Sequence, residues 1–227
     1  IACLAFMKRK ELLYPSASNR LFSISANEFK DKTEFVHQMW QTDFTYFKVI
    51  GWGWYYLSTV LDDYSRYIIH WELCDSMKAE DVKRTVNTAI EKAKLKSKAK
   101  PKLLSDNGSC YISNELRTYL KDDLKMKQVH GKPMHPQTQG KIERYHRTMK
   151  NVVKLNHFYH PEELVEALEK FVENYNNKRY HESLKNLPPA DVYFGRSEQI
   201  LEKRRQIKSD SIRKRRQLYF QQKLINL

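Results

Sequence analysis

Residues 39–73 read MWQTDFTYFKVIGWGWYYLSTVLDDYSRYIIHWEL, and this stretch decides the fold. MWQTDFTYFKVI is dense in β-branched and aromatic residues, which suit a pleated, half-buried surface. Gly51-Trp52-Gly53 predicts a turn, WYYLSTVLD a second strand, DDYSR another turn and YIIHWEL a third strand. Three strands joined by turns this short make an antiparallel meander. One residue breaks the pattern. Side chains alternate along a strand, so Trp40, Thr42, Phe44 and Tyr46 face one way and Gln41, Asp43 and Thr45 the other. A carboxylate within an apolar strand is costly unless it is paired or holds a metal. The bland reading is an edge strand with Asp43 in water.

Working outward, Val82, Val86, Ile90 and Ala93 form the stripe of a helix. Asp75 or Ser76 is expected to cap it, and Glu80 and Asp81 suit its positive end. After the lysine-rich KLKSKAKPK, Leu103 and Leu104 predict a short buried strand ending at Ser-Asp-Asn-Gly. Ser113 caps a second helix with Leu116, Leu120 and Leu124 on one side. MKQVH predicts a fifth strand, closed by Pro133. HPQTQGKIERYHRTMK, residues 135–150, starts as a turn and runs into a helix over 139–155. Pro161 opens another helix with the stripe Leu164, Leu168, Phe171, Val172 and Tyr175. PPADVYFG, residues 188–195, breaks the chain. The order βββ-α-β-α-β-α predicts an α/β fold, a mixed five-stranded sheet with helices packed against it. No GxGxxG or GxxxxGK[ST] occurs, so a nucleotide cofactor has no support.

The expected organisation has three parts. Residues 1–30 show little periodicity and read as a linker or the remnant of an upstream DNA-binding module. Residues 31–195 form the core. Residues 196–227 are a basic helical tail, with ten Lys/Arg against three Asp/Glu, half of the net charge of +14. That charge on 227 residues points to a polyanionic partner: nucleic acid first, an anionic membrane surface second. No apolar run approaches the ~18 residues of a spanning helix, and no membrane is expected among the partners. Three cysteines far apart, without CxxC, predict neither a disulfide framework nor a zinc knuckle and suit a reducing cytoplasm.

Two more acids stand where chemistry is done. Asp106 follows a short apolar strand, where α/β sheets present ligands, although Asp-Asn-Gly is also ordinary turn chemistry. Glu143 shares a helix face with Gln139, Arg147 and Lys150, although an isolated face of this kind is usually a solvated one. Three carboxylates on separate elements suit Mg²⁺, which takes a few carboxylates plus water and phosphate oxygens. Asp62 and Asp63 are assigned to their turn, pairing with Arg66. His130 and His135 flank a turn and form no zinc site. No GxSxG occurs. Tyr145 and Tyr180 sit near Arg and His, but helix aromatics are more often core than a covalent nucleophile.

WQTDFTYF, SDNGS and HPQTQGKIERYHRTMK, in this order and spacing, resemble the catalytic core of bacterial insertion-sequence transposases of the DDE type, which is similar to that of retroviral integrases. The resemblance runs from about residue 28 to residue 195 and includes YNNKRYHESL and PPADVYFG; the 36 residues between Asp106 and Glu143 match the family's spacing. It implies an RNase H-like fold with Asp43 on the first, central strand, Asp106 after the fourth and Glu143 on the helix beyond the fifth. It implies that these acids are catalytic and hold two divalent cations, Mg²⁺ or Mn²⁺, with Asp43 bridging. Asn107, Gln139, Gly140 and Lys150 would lie against DNA, and Arg144, Arg147 and the tail would add phosphate contacts. The partners implied are DNA, both element ends and target, further copies of the chain on DNA, and a DNA-binding protein from an upstream reading frame. The implied place is the bacterial cytoplasm, at the nucleoid. No complete helix-turn-helix or leucine zipper is visible, which leaves end recognition unassigned. The implied activity is transposition: DNA cleavage and strand transfer, giving DNA recombination and integration. Two alternatives stand beside it, a nuclease that only hydrolyses and a DNA-binding regulator derived from a transposase.

Overall fold

A computed structural model describes residues 32–95, 100–130 and 139–225. The segment read as an upstream linker, together with Pro133 and His135, lies outside the described residues. The meander forms as expected: β1 (Met39–Val49), β2 (Gly53–Asp62) and β3 (Ile68–Cys74), each antiparallel to the next. Gly51 and Gly53 adopt φ of 83° and 102°, the backbone region that the first turn needs and that glycine enters without strain. Helix α1 (Ala79–Lys92) leads to β4 (Lys102–Ser105), which pairs parallel with β1. Helix α2 (Asn114–Thr118), continued by one wide turn over Tyr119–Asp123, leads to β5 (Gln128–His130), parallel to β4. The strand order is β3-β2-β1-β4-β5, so β1 is central, and Asp43, its side chain 21% exposed and set against His146, is not a residue in water.

Helix α3 (Gly140–Val153) and helix α4 (Pro161–Asn177) follow, then short α5 (Pro189–Tyr193) and long α6 (Ser197–Ile225). The sheet separates two cores. On one face Trp40, Val60 and Leu103 meet Val82, Val86 and Ile90 of α1 and Leu116 and Leu120 of the α2 segment. On the other Phe47, Val49, Leu57 and Leu61 meet Ile142, Tyr145 and Met149 of α3 and Leu164, Leu168 and Val172 of α4. This is the mixed sheet flanked by helices that the strand alternation and helix stripes predict, and it matches the RNase H-like fold that the resemblance implies.

Two expectations about ends need correction. Neither Asp75 nor Ser76 caps α1; the cap position is Lys78. The Ser76 hydroxyl instead donates to Asp81 (2.5 Å), which also accepts the Lys78 N–H (3.1 Å) and pairs with Arg84 (3.0 Å). Ser113 caps α2 as expected, accepting the Leu116 N–H at 3.2 Å. Asp63 lies in its turn as expected and its charge acts on Arg66, but the carboxylates of Asp62 and Asp63 are buried and bonded elsewhere as well. Asp62 ends β2, fully buried, and accepts from the His37 N–H and from the N–H and hydroxyl of Ser65. Asp63, also buried, accepts from Gln41 (2.6 Å) and pairs with Lys141 at 2.6 Å.

Those contacts fix α3 on the sheet. Lys141 Nζ donates to both the carboxylate and the carbonyl of Asp63. Gln41 uses both ends of its amide: Nε2 donates to Asp63, and Oε1 accepts the Ile142 N–H at 3.0 Å. That N–H is one of the donors every helix start leaves without a partner in its own helix. At the far edge Asn176 of α4 accepts the Ile68 N–H and donates to the Ile68 carbonyl, beside an irregularity in the β2–β3 ladder.

Candidate active site

Asp43 and Asp106 come together because of strand register. β4 pairs with β1 as Trp40–Leu103 and Gln41–Leu104. Continuing that register by two residues brings Asp106, just past the end of β4, level with Asp43. The proximity has an electrostatic consequence. Asp106 has its pKa raised, first by burial; its bond from the Gly108 N–H works against this, and the charge of Asp43 adds to it. Two carboxylates crowding each other in a partly desolvated place are the donor set a hard divalent cation prefers.

Asp106 is held from both sides. The Gly108 N–H donates to its Oδ1 at 2.9 Å. A Cβ at position 108 would stand 3.0 Å from that oxygen and 3.4 Å from the other. His130 of β5 lies opposite Ser105, with its Nδ1 3.2 Å from the Asp106 carbonyl. From the sequence His130 ends a short strand and flanks a turn; in the fold it also braces the backbone of an acid. Cys110 lies nearby, its thiol pushed up to about 11 by burial and by Asp106, so it stays protonated at neutral pH.

Asp43 faces α3, as strand alternation predicts. His146, buried on α3, places Nδ1 3.3 Å from Asp43 Oδ2. Its Nε2 is buried without a hydrogen-bond partner. The sequence reading does not single out His146; the available signal is its position three residues after Glu143, on the same helix face. Lys150, one turn further, also feels the charge of Asp43.

Glu143 sits in the first turn of α3, on the flank that carries His146 and Lys150, and is exposed. Among the described residues no three His, Cys, Asp or Glu side chains form a group that could hold a metal. The structure therefore joins Asp43 and Asp106 and leaves Glu143 outside the pair, on the helix that carries His146. The residues present fit a cation at the Asp43–Asp106 pair, with Glu143 as the carboxylate nearest in sequence to the same helix face.

The expected DNA contacts divide. Asn107 is exposed beside Asp106. Gln139 is buried at the start of α3 with its Nε2 unpartnered, so it does not share an open face with Glu143 and Arg147, both exposed. Gly140 begins the helix, and a Cβ there would meet nothing within 4 Å, so the fold itself does not demand glycine. Arg144 is exposed, and its charge acts on Arg66, Tyr175 and His181. It acts with Arg66 and Arg179 on His181, whose pKa falls to about 4 through burial and these three charges. Tyr145 is core, in edge contact with Tyr175 at 5.0 Å, and burial raises its pKa, so a covalent role for its phenol has no basis. Tyr180 is exposed, with the Arg204 guanidinium 5.8 Å from its ring centre.

Asp43 and Asp106 are half-buried and Glu143 is exposed. A cleft of about 830 Å³ between α3 and α4 is lined by Val152, Phe158, Phe171 and Lys170 and includes none of the three acids.

Comparison with known proteins agrees with this fold. Two family models, each described as integrase core domain, match residues 35–136 and 124–189. The fold is similar to a chain of the simian T-cell lymphotropic virus intasome in complex with PP2A regulatory subunit B56 gamma. The TM-score is 0.59 at 19% identity, over 72% of this chain and 56% of that one. It is similar to the HTLV-2 integrase catalytic core domain in complex with magnesium, with TM-score 0.53 and 18% identity, over 70% of this chain and 97% of that one. The catalytic core domain of BIV integrase gives TM-score 0.51 and 20% identity, over 73% of this chain and 99% of that one.

Proposed function

We propose that this chain, which carries an integrase core over residues 35–189, cuts DNA at the ends of a mobile element and joins the freed 3′-hydroxyl to a second DNA. The observation that carries this reading is the β1–β4 register, which sets Asp43 beside Asp106 under the helix that bears Glu143. In this reading Asp43, Asp106 and Glu143 hold two divalent cations, Mg²⁺ or Mn²⁺. Bound there, such ions supply Lewis acidity at the scissile phosphate and favour an ionised attacking oxygen.

The remaining work belongs to the chain. His146 and the Gly108 N–H aim the two aspartates, and the Gln41 clamp fixes the turn that carries Glu143. Lys150, Arg147 and Asn107 hold the phosphates that flank the cut. Water attacks the phosphodiester and releases a 3′-hydroxyl; that hydroxyl attacks a target phosphodiester and displaces its 3′-oxygen. No covalent protein–DNA bond forms. Helix α6, basic and exposed beyond Leu201, adds phosphate contacts. Further copies of the chain on DNA, and a DNA-binding protein from an upstream reading frame, complete the assembly.

The test uses labelled duplexes carrying candidate element ends, with Mg²⁺ or EDTA, beside Asp43→Asn, Asp106→Asn and Glu143→Gln. Metal-dependent nicks and longer joined strands, both lost in each variant, are expected. Nicks without joined strands would favour a hydrolytic nuclease, and binding without cleavage a regulator.

A further inference from the structure

Beside the acid pair lies a surface with no part in that chemistry. The β4 ladder covers β1 only over Met39, Trp40 and Gln41, so beyond them β1 has a strand neighbour on its β2 side alone. In the open part, Tyr46 pairs with Tyr56 and Lys48 with Trp54. Tyr46 and Trp54 are therefore diagonal neighbours on one sheet face. Their rings meet edge to face, with centres 5.4 Å apart. Both stay about half exposed, 49% and 52%. Large aromatics in water serve no core, and this pair carries charge as well. Lys150 Nζ lies 4.8 Å from the centre of the Tyr46 ring and Lys154 Nζ 5.5 Å. The two ammonium groups repel each other, and neither forms a salt bridge among the described residues. Tyr46 stands three residues beyond Asp43 on β1, and Lys150, against the Tyr46 ring, also lies within the field of Asp43.

An open ring face beside two ammonium groups without a salt-bridge partner among the described residues matches one ligand chemistry: a nucleotide whose base is free to stack and whose phosphate is anionic. A paired base inside a duplex hides its face. We propose that Trp54, propped by Tyr46, stacks an unpaired base of the DNA strand next to the cleaved phosphate, with Lys150 and Lys154 on that nucleotide's phosphates. This rests on DNA being the substrate and adds a requirement: the end that enters the site is frayed, not fully paired. It also gives Tyr46 and Trp54, which no acid-base motif singles out, a part in selecting substrate.

The experiment compares binding of the full chain, in EDTA, to a blunt duplex and to the same duplex with three unpaired nucleotides at one end. The first unpaired base is 2-aminopurine, whose fluorescence falls on stacking. The frayed end is expected to bind roughly five-fold tighter or more, the scale of one base–aromatic stack, with quenching. Trp54→Ala and Tyr46→Ala should remove the preference and the quenching while keeping the blunt-duplex affinity and the melting temperature; Tyr46→Phe should keep both. Equal binding of the two duplexes, or quenching unchanged in Trp54→Ala, overturns the platform and leaves the DNA reading standing. Loss of self-association in DNA-free Trp54→Ala, without change in DNA preference, would show that the face meets another copy and likewise overturns it. Failure to bind either duplex overturns both readings.

Discussion

A single methyl group at position 108 would test the acid pair. The Gly108 N–H holds the Asp106 carboxylate, and a Cβ at this position would press on the same oxygen at 3.0 Å. Its backbone is not in the left-handed region, so alanine brings no conformational strain there. Gly108→Ala should therefore leave the melting temperature within about 2 °C while turning Asp106 aside. A displacement of this size at a reacting centre costs up to about 100-fold in rate. Strand-transfer assays beside thermal melts separate the two effects. Gly140 makes the contrast: a Cβ there meets nothing in the chain, so any need for glycine would have to come from bound DNA.

At the scale of elements, the structure turns on how α3 is clamped to β1. Gln41 stands two residues before Asp43 and accepts the N–H of the residue just before Glu143. Gln41→Met keeps the volume but strips buried Asp63 of one donor and Ile142 of its acceptor. Each orphaned group costs about 1–3 kcal/mol, so chemical denaturation should show a loss of that order, and cleavage should fall further than stability because Glu143 loses its anchor. Helix α1 offers a pH test. Burial alone would raise the pKa of Asp81, but bonds from Ser76, Lys78 and Arg84 outweigh it and the pKa is lowered. A carboxyl held lower in the folded chain than in the unfolded one binds fewer protons when folded. Its contribution is thus present above the ordinary value of 3.8 and disappears as pH falls through the lowered one. Asp81→Asn should cost roughly 1–2 kcal/mol at pH 7, and the gap from the parent protein should close in acid. Urea midpoints at pH 7, 5 and 3 measure it.

Across the whole molecule, charge and fold are largely separate. Helix α6 is exposed beyond Leu201, and its link to the core in this region is Arg204, bonded to the carbonyls of Lys185 and Asn186. Ending the chain at Gln206 removes six Lys/Arg and one Asp and keeps that link. The core should melt within about 3 °C of the full chain. The dependence of DNA affinity on salt should become shallower, by about 0.9 in the log–log slope for each phosphate that is no longer neutralised. A slope that does not change would free α6 for contact with protein instead.

How much of this was legible follows from the range of the forces involved. The strands, the helix stripes, the face of Asp43, the Ser113 cap and the basic tail are local matters of alternation, periodicity and side-chain chemistry, and the sequence by itself determined them. Asp43 stood out as a costly carboxylate in an apolar strand; Asp106 and Glu143, ordinary in their local settings, stood out through the order and spacing of the motifs that carry them. What only the tertiary structure decided lies between elements distant in the chain. The roles of Gln41, Asp63 and Lys141 in a clamp, His130 behind Asp106, His146 against Asp43 and Asn176 on Ile68 depend on partners 22 to 108 residues away. No period in sequence encodes such pairs, because strand register and helix seating choose them only once the chain has folded.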